Sequence, residues 1–463
     1  MNQTEIRNRL DAMGVMPSKK LGQNFLVDEN VARWIVDQLD IQSGETVVEV
    51  GPGTGALTEH VVEIADRVIL VEFDARLAEG LTERYADNDK VEVHHHDGAR
   101  FDVGKLYKYA PIKLIGNLPY SAGGAIMRNF MKKPSPISKA VLMLQKEFID
   151  RIIAKPRTKE YGVLSLRMQS EWVSRPVKTI PPQAFFPRPL IDSTVMVCDP
   201  LAAEDKASLP IYDARLFDEI VRRGFAQRRK QVRKQMPDAS SWGGSWEQAA
   251  ELIGLPVTAR AEEISLEQWV ELTRYYDDHP LKDKPQDLSE LFDVVDADDL
   301  VLRQESRAVV HEQGLMHRAA HVFVFNKKKE ILLQKRSLLK DKNPGVWGSS
   351  AAGHLDAGEK YEAAAERELS EELGINSVDI QEIGMLAPSE ENGWEHIRIF
   401  ITRYDGALRF PASEVESVRW LSADDLQDWI ELRPQDFSYG FIQCWRLFYT
   451  SLQARIERGD PEA

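Results

Sequence analysis

Thr46-Val-Val-Glu-Val50 runs directly into Gly51-Pro-Gly-Thr-Gly55, and a helical apolar pattern takes over from about Ala56. A β-branched run that ends in alternating glycines and restarts as a helix restricts this chain more than any other feature. Glycine adopts positive φ without steric cost and lets a second group approach the backbone closely. Such a turn belongs at the carboxyl end of a strand in an α/β layer. The alternation continues downstream, with strands expected at Arg67–Val71, Val91–His95, Ile112–Ile115 and Ala140–Leu144 and a helix over Arg76–Tyr85. Strands spaced by helices in this way predict a mostly parallel, doubly wound sheet.

The rest of the chain changes character twice. Residues 1–20 contain an amphipathic helix candidate, and from about Asp213 to Tyr276 the pattern is helical again. Asp277–Ser289 is polar, holds two prolines and lacks an apolar period, which marks a linker. Beyond it, strands at His321–Phe325 and Ile331–Gln334 flank a long Ala/Glu-rich helix, an α+β arrangement. A length of 463 residues suits about three folding units. The expected organisation is a Rossmann-like, doubly wound α/β domain over 1–205 and a small helical subdomain over 206–276. A linker over 277–288 and an α+β domain over 289–463, layered as an α/β/α sandwich, complete it.

The opening MNQTEIRNRLDAMG carries charges and no apolar h-region, so no secretory signal is expected. No stretch approaches the roughly 18 uninterrupted apolar residues of a membrane span. Cys198 and Cys444 lie far apart without metal-ligand spacing, so buried free thiols and a cytoplasmic setting are expected, with a monomer as the assembly. A net charge of −15 argues at first sight against nucleic acid, but the charge is segregated. Arg222, Arg223, Arg228, Arg229, Lys230, Arg233 and Lys234 form a dense basic run, expected to contact RNA phosphates, while glutamates gather in the last third. A solvated helix face is the bland alternative for that run. His94, His95 and His96 alternate along a strand, so they are not expected to share a metal.

Glu72 closes the strand after the glycine turn, where a carboxylate can accept from both ribose hydroxyls of a nucleoside. Asp97 follows the next strand, within reach of an adenine amino group. The turn is not G-x-G-x-x-G, and its spacing suits a nucleoside without a pyrophosphate better than a dinucleotide. Asn117-Leu118-Pro119-Tyr120 ends the following strand. An exocyclic adenine amine is a poor nucleophile because its lone pair is delocalised into the ring. The Asn117 side-chain carbonyl and the backbone carbonyl of Leu118 or Pro119 can accept its two N–H bonds, favouring a pyramidal nitrogen aimed at a sulfonium methyl. Proline holds these acceptors in place beforehand. Tyr120 offers a face for an unstacked base. No tuned general base is required, since orientation and electrostatics supply most of the rate.

Pro17 to Leu272 resembles the small-subunit ribosomal RNA adenine dimethyltransferases. The matching stretches, in family order, are KKLGQNFL, VVEVGPGTGALT, VEFD, HHDG, IGNLPY, LQKEFIDRIIAKPRTKEYGVLSL, FFPRPLIDSTV and FAQRRKQVRK. The resemblance implies that Asn24, Leu26, Gly51, Glu72, Asp97 and Asn117 hold S-adenosylmethionine. It implies that Asn117, Tyr120 and Phe185 surround the target adenine, with Phe185 stacking opposite Tyr120. Transfer of two methyls to each of two adjacent adenines, in a hairpin near the 3′ end of small-subunit rRNA, is the implied reaction. Ser121-Ala-Gly-Gly124 and Leu190 depart from the family pattern, where an Asn- or Ser/Thr-rich run and a lysine are common. A large-subunit rRNA adenine methylase and a non-catalytic RNA-binding relative are the alternatives.

In the last third, Ala365, Leu369 and Leu373 recur every four residues as a buried stripe. Glu368, Glu371 and Glu372 stand at i, i+3 and i+4, so their carboxylates share one helix face and call for a hard cation. Arg367 lies one turn before Glu371 and can orient it, and Gly374 stands at the helix end. Gly353 through Ile375 matches the Nudix box G-x5-E-x7-R-E-U-x-E-E-x-G-U at every specified position. The resemblance implies a Mg²⁺ or Mn²⁺ site on Glu368, Glu371 and Glu372 that hydrolyses a diphosphate-containing small molecule, with Glu371 and Glu372 catalytic. The stretches FDVVD, MHRAAHVFVFN, LLQKRS and PGVWGSSAAGHL resemble the isopentenyl-diphosphate-isomerase-like branch. His317 and His354 fall where that isomerase has metal-binding histidines, and Glu395 is a further candidate ligand. The isomerase's essential cysteine is missing, since Ser349-Ser-Ala-Ala352 stands there, so hydrolysis is preferred over isomerisation. A regulatory binding module remains an alternative.

Overall fold

The computed structural model describes residues 3–18, 22–202, 205–206, 208–236, 244–282 and 287–457. Lys19, Lys20 and Leu21 of the KKLGQNFL stretch and positions 283–286 of the expected linker lie outside the described residues. Residues 1–210 with 214–276 make one compact unit, and 211–213 with 277–463 make another. No helix of the described residues is long and apolar enough to cross a membrane.

The first unit opens with α1 (Gln3–Ala12), β1 (Phe25–Leu26) and α2 (Glu29–Asp37). Its sheet chain then runs β2 (Thr46–Val50), α3 (Thr58–Ile64), β3 (Arg67–Glu72), α4 (Ala75–Arg84), β4 (Val91–His95), β5 (Ile112–Asn117), α5 (Gly123–Met131) and β6 (Ile137–Gln145). After α6 (Lys146–Ile152) and α7 (Val163–Gln169) come β7 (Trp172–Ile180), β8 (Phe185–Phe186) and β9 (Ser193–Pro200). The sheet order is β4-β3-β2-β5-β6-β9-β7. Pairings from β4 through β6 are parallel, and β9 pairs antiparallel with both β6 and β7. β2 is buried along its whole length. Val47 points into the core shared with α1 and α2, while Val48 and Val50 point into the core shared with α5. That is why the strand reads as a near-continuous apolar run. The chain leaves β2 toward β3 and β4, then returns to β2's other side as β5. A crevice opens at the carboxyl ends of β2 and β5, where such sheets bind ligands.

Among the strands that extend beyond their expected ends, β3 gains Glu72 and β5 gains Gly116-Asn117. Helix α3 starts at Thr58, later than expected, because the chain is still turning through Ala56 and Leu57. Helices α8 (Ala214–Phe225), α9 (Trp246–Leu252) and α10 (Leu266–Tyr276) close the unit. A Cβ on Gly224 would collide with the buried Trp269 ring, so α8 and α10 touch almost backbone to ring. Because α8 stops at Phe225, Arg228–Lys234 is not a helix face. It is a turn followed by a short 3₁₀ segment, Val232–Lys234.

In the second unit, β10 (Leu291–Val295) and β11 (Val301–Ser306) form a hairpin followed by α11 (Arg307–Gln313). Then come β12 (His317–Phe325), β13 (Ile331–Arg336), β14 (Trp347–Gly348), β15 (Ala351–His354) and α12 (Tyr361–Leu373). β16 (Gln381–Leu386), β17 (Glu395–Arg403), β18 (Val415–Leu421), α13 (Ala423–Leu432) and α14 (Tyr439–Glu457) follow. β12 runs parallel to β17 and antiparallel to β15, so His317 and His354 approach from neighbouring strands. The side chains of β12 alternate. Ala320, Val322 and Val324 pack with Ala365, Leu369 and Leu373 of α12. Phe323 on the other face meets Phe441, Trp445 and Phe448 of α14. Helices therefore cover both faces of the sheet. Gly374 ends α12 at φ +69°, as the αL cap requires.

Candidate active sites of the two units

The crevice at β2 and β5 is a narrow cleft of about 80 Å³. Gly51, Gly53 and Gly55 hold φ of +70°, +59° and +83°, so the turn is available only to glycine. Glu72, 5% exposed, braces it: its Oε2 accepts from the Gly53 N–H and its Oε1 from the Asp74 N–H, both at 2.9 Å. Burial raises the Glu72 pKa. Sequence reasoning passed over Glu49, which lines the same cleft. Burial pushes its carboxyl up to about 8, and the Thr58 hydroxyl donates to it at 2.7 Å. Its place inside an apolar strand offered no signal of exposure to a ligand.

Asn24, Leu26, Asn117, Leu118, Pro119 and Tyr120 line the opposite wall. The Asn117 Nδ2 donates to the Asn24 carbonyl at 2.9 Å, which turns Oδ1 the other way. The Pro119 carbonyl accepts from the amides of Ala122 and Gly123 at 3.0 and 2.9 Å, where α5 begins. The Leu118 amide is tied to the Met143 carbonyl at 3.1 Å, and its own carbonyl has no partner among the described residues. Of the two backbone acceptors considered, Leu118 is the one left open. The Tyr120 hydroxyl shares a hydrogen bond with Ser193 Oγ at 2.8 Å, and burial raises its pKa.

Two expected members stand apart. Asp97 does not line the cleft, and its Oδ1 accepts from the Ala99 amide at 2.9 Å. Phe185 is 2% exposed, because β8 pairs with β1 and packs its ring in the core with Leu26 and Ile180. The expected face opposite Tyr120 is therefore not in place here.

In the second unit, Arg367 gathers the box. It donates to Glu359 at 3.0 and 3.1 Å, to Glu368 at 2.8 Å, to Glu371 at 3.2 Å and to the His354 carbonyl at 2.9 Å. Burial and the neighbouring Glu372 push Glu368 up to about 7. Glu372 accepts from Gln334 Nε2 at 2.8 Å and from the Ala352 amide at 3.0 Å, while its buried Oε1 has no hydrogen bond. A Cβ on Gly353 would collide with Glu368, so only glycine fits there. The three carboxylates do not meet at one point, since each follows the nearest donor. Lys340, buried and 3.7 Å from Glu372, also pairs with Glu414. Arg307 and Arg336 line the same cavity.

Ligand atoms do converge elsewhere in this cavity. Nitrogens of His311, His317 and His354 lie within 4.8 Å of one another. Glu395 Oε1 is 3.1 Å from His354 Nε2 and 3.9 Å from His317 Nε2, and the buried His317 Nε2 has no hydrogen bond among the described residues. Burial lowers both His317, to about 3, and His354. Sequence reasoning missed His311 because it approaches from α11, off any ligand spacing. His94, His95 and His96 join no such group among the described residues.

A family model described as ribosomal RNA adenine dimethylase matches residues 17–278. The chain belongs to the ribosomal RNA adenine dimethylase family. "Ribosomal RNA small subunit methyltransferase A" of Francisella tularensis is 36% identical over 261 residues, 56% of this chain and 96% of that protein. The protein of the same name from Clostridium perfringens is 35% identical over 253 residues, 54% of this chain and 88% of its own length. A crystal structure of a dimethyladenosine transferase from Plasmodium falciparum, 21% identical, covers 54% of this chain and 95% of that one, with a TM-score of 0.44. A NUDIX domain model matches residues 315–439, so this dimethylase carries a Nudix domain after its methyltransferase part.

Two further features concern this dimethylase's basic run and its departures from the family pattern. Arg222 and Arg223 pair with Asp218 and Glu219, and Arg228 pairs with Glu262. Arg229, Lys230, Arg233 and Lys234 are exposed and form no ion pair among the described residues. The Gly123-Gly124 departure has a packing reason: a Cβ on Gly123 would collide with Leu144, and one on Gly124 would sit 3.2 Å from Phe148. Leu190 is fully exposed.

Proposed function

We propose that the first unit dimethylates the N6 amines of two adjacent adenines in a hairpin near the 3′ end of small-subunit rRNA. The names of its relatives support the subunit. The observation that carries the chemistry is the Asn117 side chain pinned by Asn24 beside a Leu118 carbonyl that has no partner among the described residues. These two oxygens would accept the N–H bonds of the target amine and pyramidalise its nitrogen. Their pre-organisation costs nothing at the moment of reaction. S-adenosylmethionine, when bound, supplies an electrophilic methyl on a sulfonium. Gly51, Asn24, Leu26 and Glu72 would hold it, with the Glu72 carboxylate on the ribose. Asp97 reaches the adenine if its loop turns inward, and Phe185 stacks on the base if β8 moves. Arg229, Lys230, Arg233 and Lys234 would contact RNA phosphates. Incubation with labelled methyl donor and undermethylated small subunits tests the reading, and absence of dimethyladenosine from the rRNA sinks it.

We propose further that the Nudix domain hydrolyses a diphosphate-containing small molecule. Glu372 Oε1, buried without a hydrogen bond and 3.7 Å from Lys340, and the raised Glu368 carboxyl are what a cation would relieve, so Glu368, Glu371 and Glu372 would draw together to hold Mg²⁺. A bound Mg²⁺ polarises a phosphoryl oxygen and lowers the pKa of water. His311, His317, His354 and Glu395 fit a second divalent cation of the kind that prefers imidazole, such as Zn²⁺. Arg307, Arg336 and Lys340 put positive charge in the same cavity, which suits a diphosphate. A screen of diphosphates with Mg²⁺ on the intact chain tests this reading; no phosphate release from any of them rejects it.

A further inference from the structure

Helix α1 lies before the stretch that matches the dimethylase model, yet it is built into the glycine turn. Ile6 and Leu10 are buried in the same core as Leu26, Leu57 and Leu77, which docks the helix against the cleft's back wall. From there Arg9 Nη1 donates to the Thr54 carbonyl at 3.1 Å and Nη2 to Glu59 at 2.8 Å. Arg84 of α4 meets the same two acceptors, reaching the Thr54 carbonyl at 3.3 Å. Thr54 sits between Gly53 and Gly55, is 1% exposed and lines the cleft. A Cβ on Gly55 would lie 3.0 Å from Arg84 Nη1, so this guanidinium rests directly on the turn.

The physical consequence follows from peptide planarity. Holding the Thr54 carbonyl fixes the direction of the Gly55 N–H, since both belong to one rigid plane. That N–H donates to the Pro52 carbonyl at 2.9 Å, and the Gly53 N–H donates to Glu72. Glycines at positive φ are otherwise the loosest part of the backbone. Two charge-assisted donors on one carbonyl remove that looseness from behind, without entering the cleft. The helix also reaches the other side of the site: the Arg7 guanidinium lies 4.7 Å from the Phe186 ring centroid, next to Phe185.

We infer that α1 is a strap for the methyl-donor site, in which Arg9, together with Arg84, is a positioning residue that holds the glycine turn in its donor-receiving shape. The inference rests on the reading of this cleft as the S-adenosylmethionine site. Arg9 touches no reacting atom, so its loss weakens donor binding and leaves transfer from bound donor intact.

The test uses the full chain, with calorimetric binding of S-adenosylmethionine and S-adenosylhomocysteine and steady-state methylation of undermethylated small subunits. Arg9→Ala is expected to raise the donor Kd and KM roughly tenfold, the loss of one hydrogen bond from a charged donor. The kcat at saturating donor and the KM for the subunit stay within about twofold, since bound donor reacts as before. Arg9→Lys recovers part of the affinity, because one charged donor still reaches Thr54. Arg9→Gln, which keeps an uncharged donor, replaces Arg9→Ala if the latter does not fold. Donor affinity within twofold of the parent in the Arg9 variants, with or without a fall in melting temperature, overturns the inference. A parent protein that binds neither nucleoside instead overturns the reading of the cleft.

Discussion

Asn117 and Asn24 are joined by a side-chain-to-backbone hydrogen bond of 2.9 Å, and this bond decides which end of the Asn117 amide faces the cleft. With Nδ2 committed, only Oδ1 is left to accept from a substrate amine. Asn117→Ala removes that acceptor and should lower the rate of methyl transfer by about 10² to 10³, as for loss of one pre-organised transition-state contact. Asn117→Asp keeps an acceptor and loses the tether, so it should lose activity as well. Transfer of label to undermethylated subunits measures both. Asn117→Ala within tenfold of the parent would show that the amine is held elsewhere.

The basic segment divides into paired and unpaired cations, and the division predicts different salt behaviour. Arg228 is 2.9 Å from Glu262, whereas Arg229 and Lys230 are exposed without an ion pair among the described residues. Removing one phosphate-binding cation should flatten the dependence of log K on log salt by about 1. Arg229→Ala with Lys230→Ala should therefore flatten the slope by about 2, and Arg228→Ala should leave it near the parent's. Equal slopes for all three proteins would move the RNA contact away from this turn.

Glu49 predicts a pH dependence of stability in the first unit. Its folded pKa is raised to about 8 by burial, far above the ordinary carboxyl value of 4.5. Between those values the folded chain keeps a proton that the unfolded chain has released. The group's contribution is thus fully present below the ordinary value and is lost as pH rises through about 8. Glu72 is shifted in the same direction. Glu49→Gln should flatten the fall in melting temperature across that window, read calorimetrically on the first unit's transition. An unchanged slope would mean Glu49 is not the protonated group.

How far the sequence can be read depends on whether a residue acts through its own chain neighbours. The glycine turn, the Asn117 strand end and the α12 stripe are set by local periodicity and by φ requirements, and the structure has them where the pattern implies. The Asn24–Asn117 tether spans separate segments, and no spacing rule reports it. His311 comes from a helix and His317 and His354 from two neighbouring strands, so their meeting is a property of the sheet order. Phe185 shows the reverse case. A motif position implies a role, but pairing with Leu26 buries the ring instead.

Glu372 is the box carboxylate with the least freedom. Gln334 and the Ala352 amide hold one oxygen, and the other is buried without a hydrogen bond, 3.7 Å from the Lys340 ammonium. Glu372→Gln keeps the shape and removes the charge, so Mg²⁺-dependent diphosphate hydrolysis should fall below detection while dimethylation of the small subunit is unchanged. Phosphate release and methyl incorporation, measured on the same preparation, separate the two activities. Hydrolysis that survives this substitution removes Glu372 from the site.

The histidine group should bind a metal independently of the box. His317 Nε2 is buried, lacks a hydrogen bond and faces His354 and Glu395, an arrangement that leaves an imidazole lone pair desolvated for no structural gain. His317 Nδ1 lies 2.9 Å from the Leu315 carbonyl, which fixes that nitrogen as the protonated one and Nε2 as the ligand. Calorimetry with Zn²⁺ on the intact chain should give one tight site that is lost in His317→Ala and weakened in His311→Ala, since each substitution removes one imidazole donor. In Glu372→Gln that site should persist, because none of its donors has changed. Loss of tight binding in Glu372→Gln, with His317→Ala behaving as the parent, would place the metal on the carboxylate helix alone.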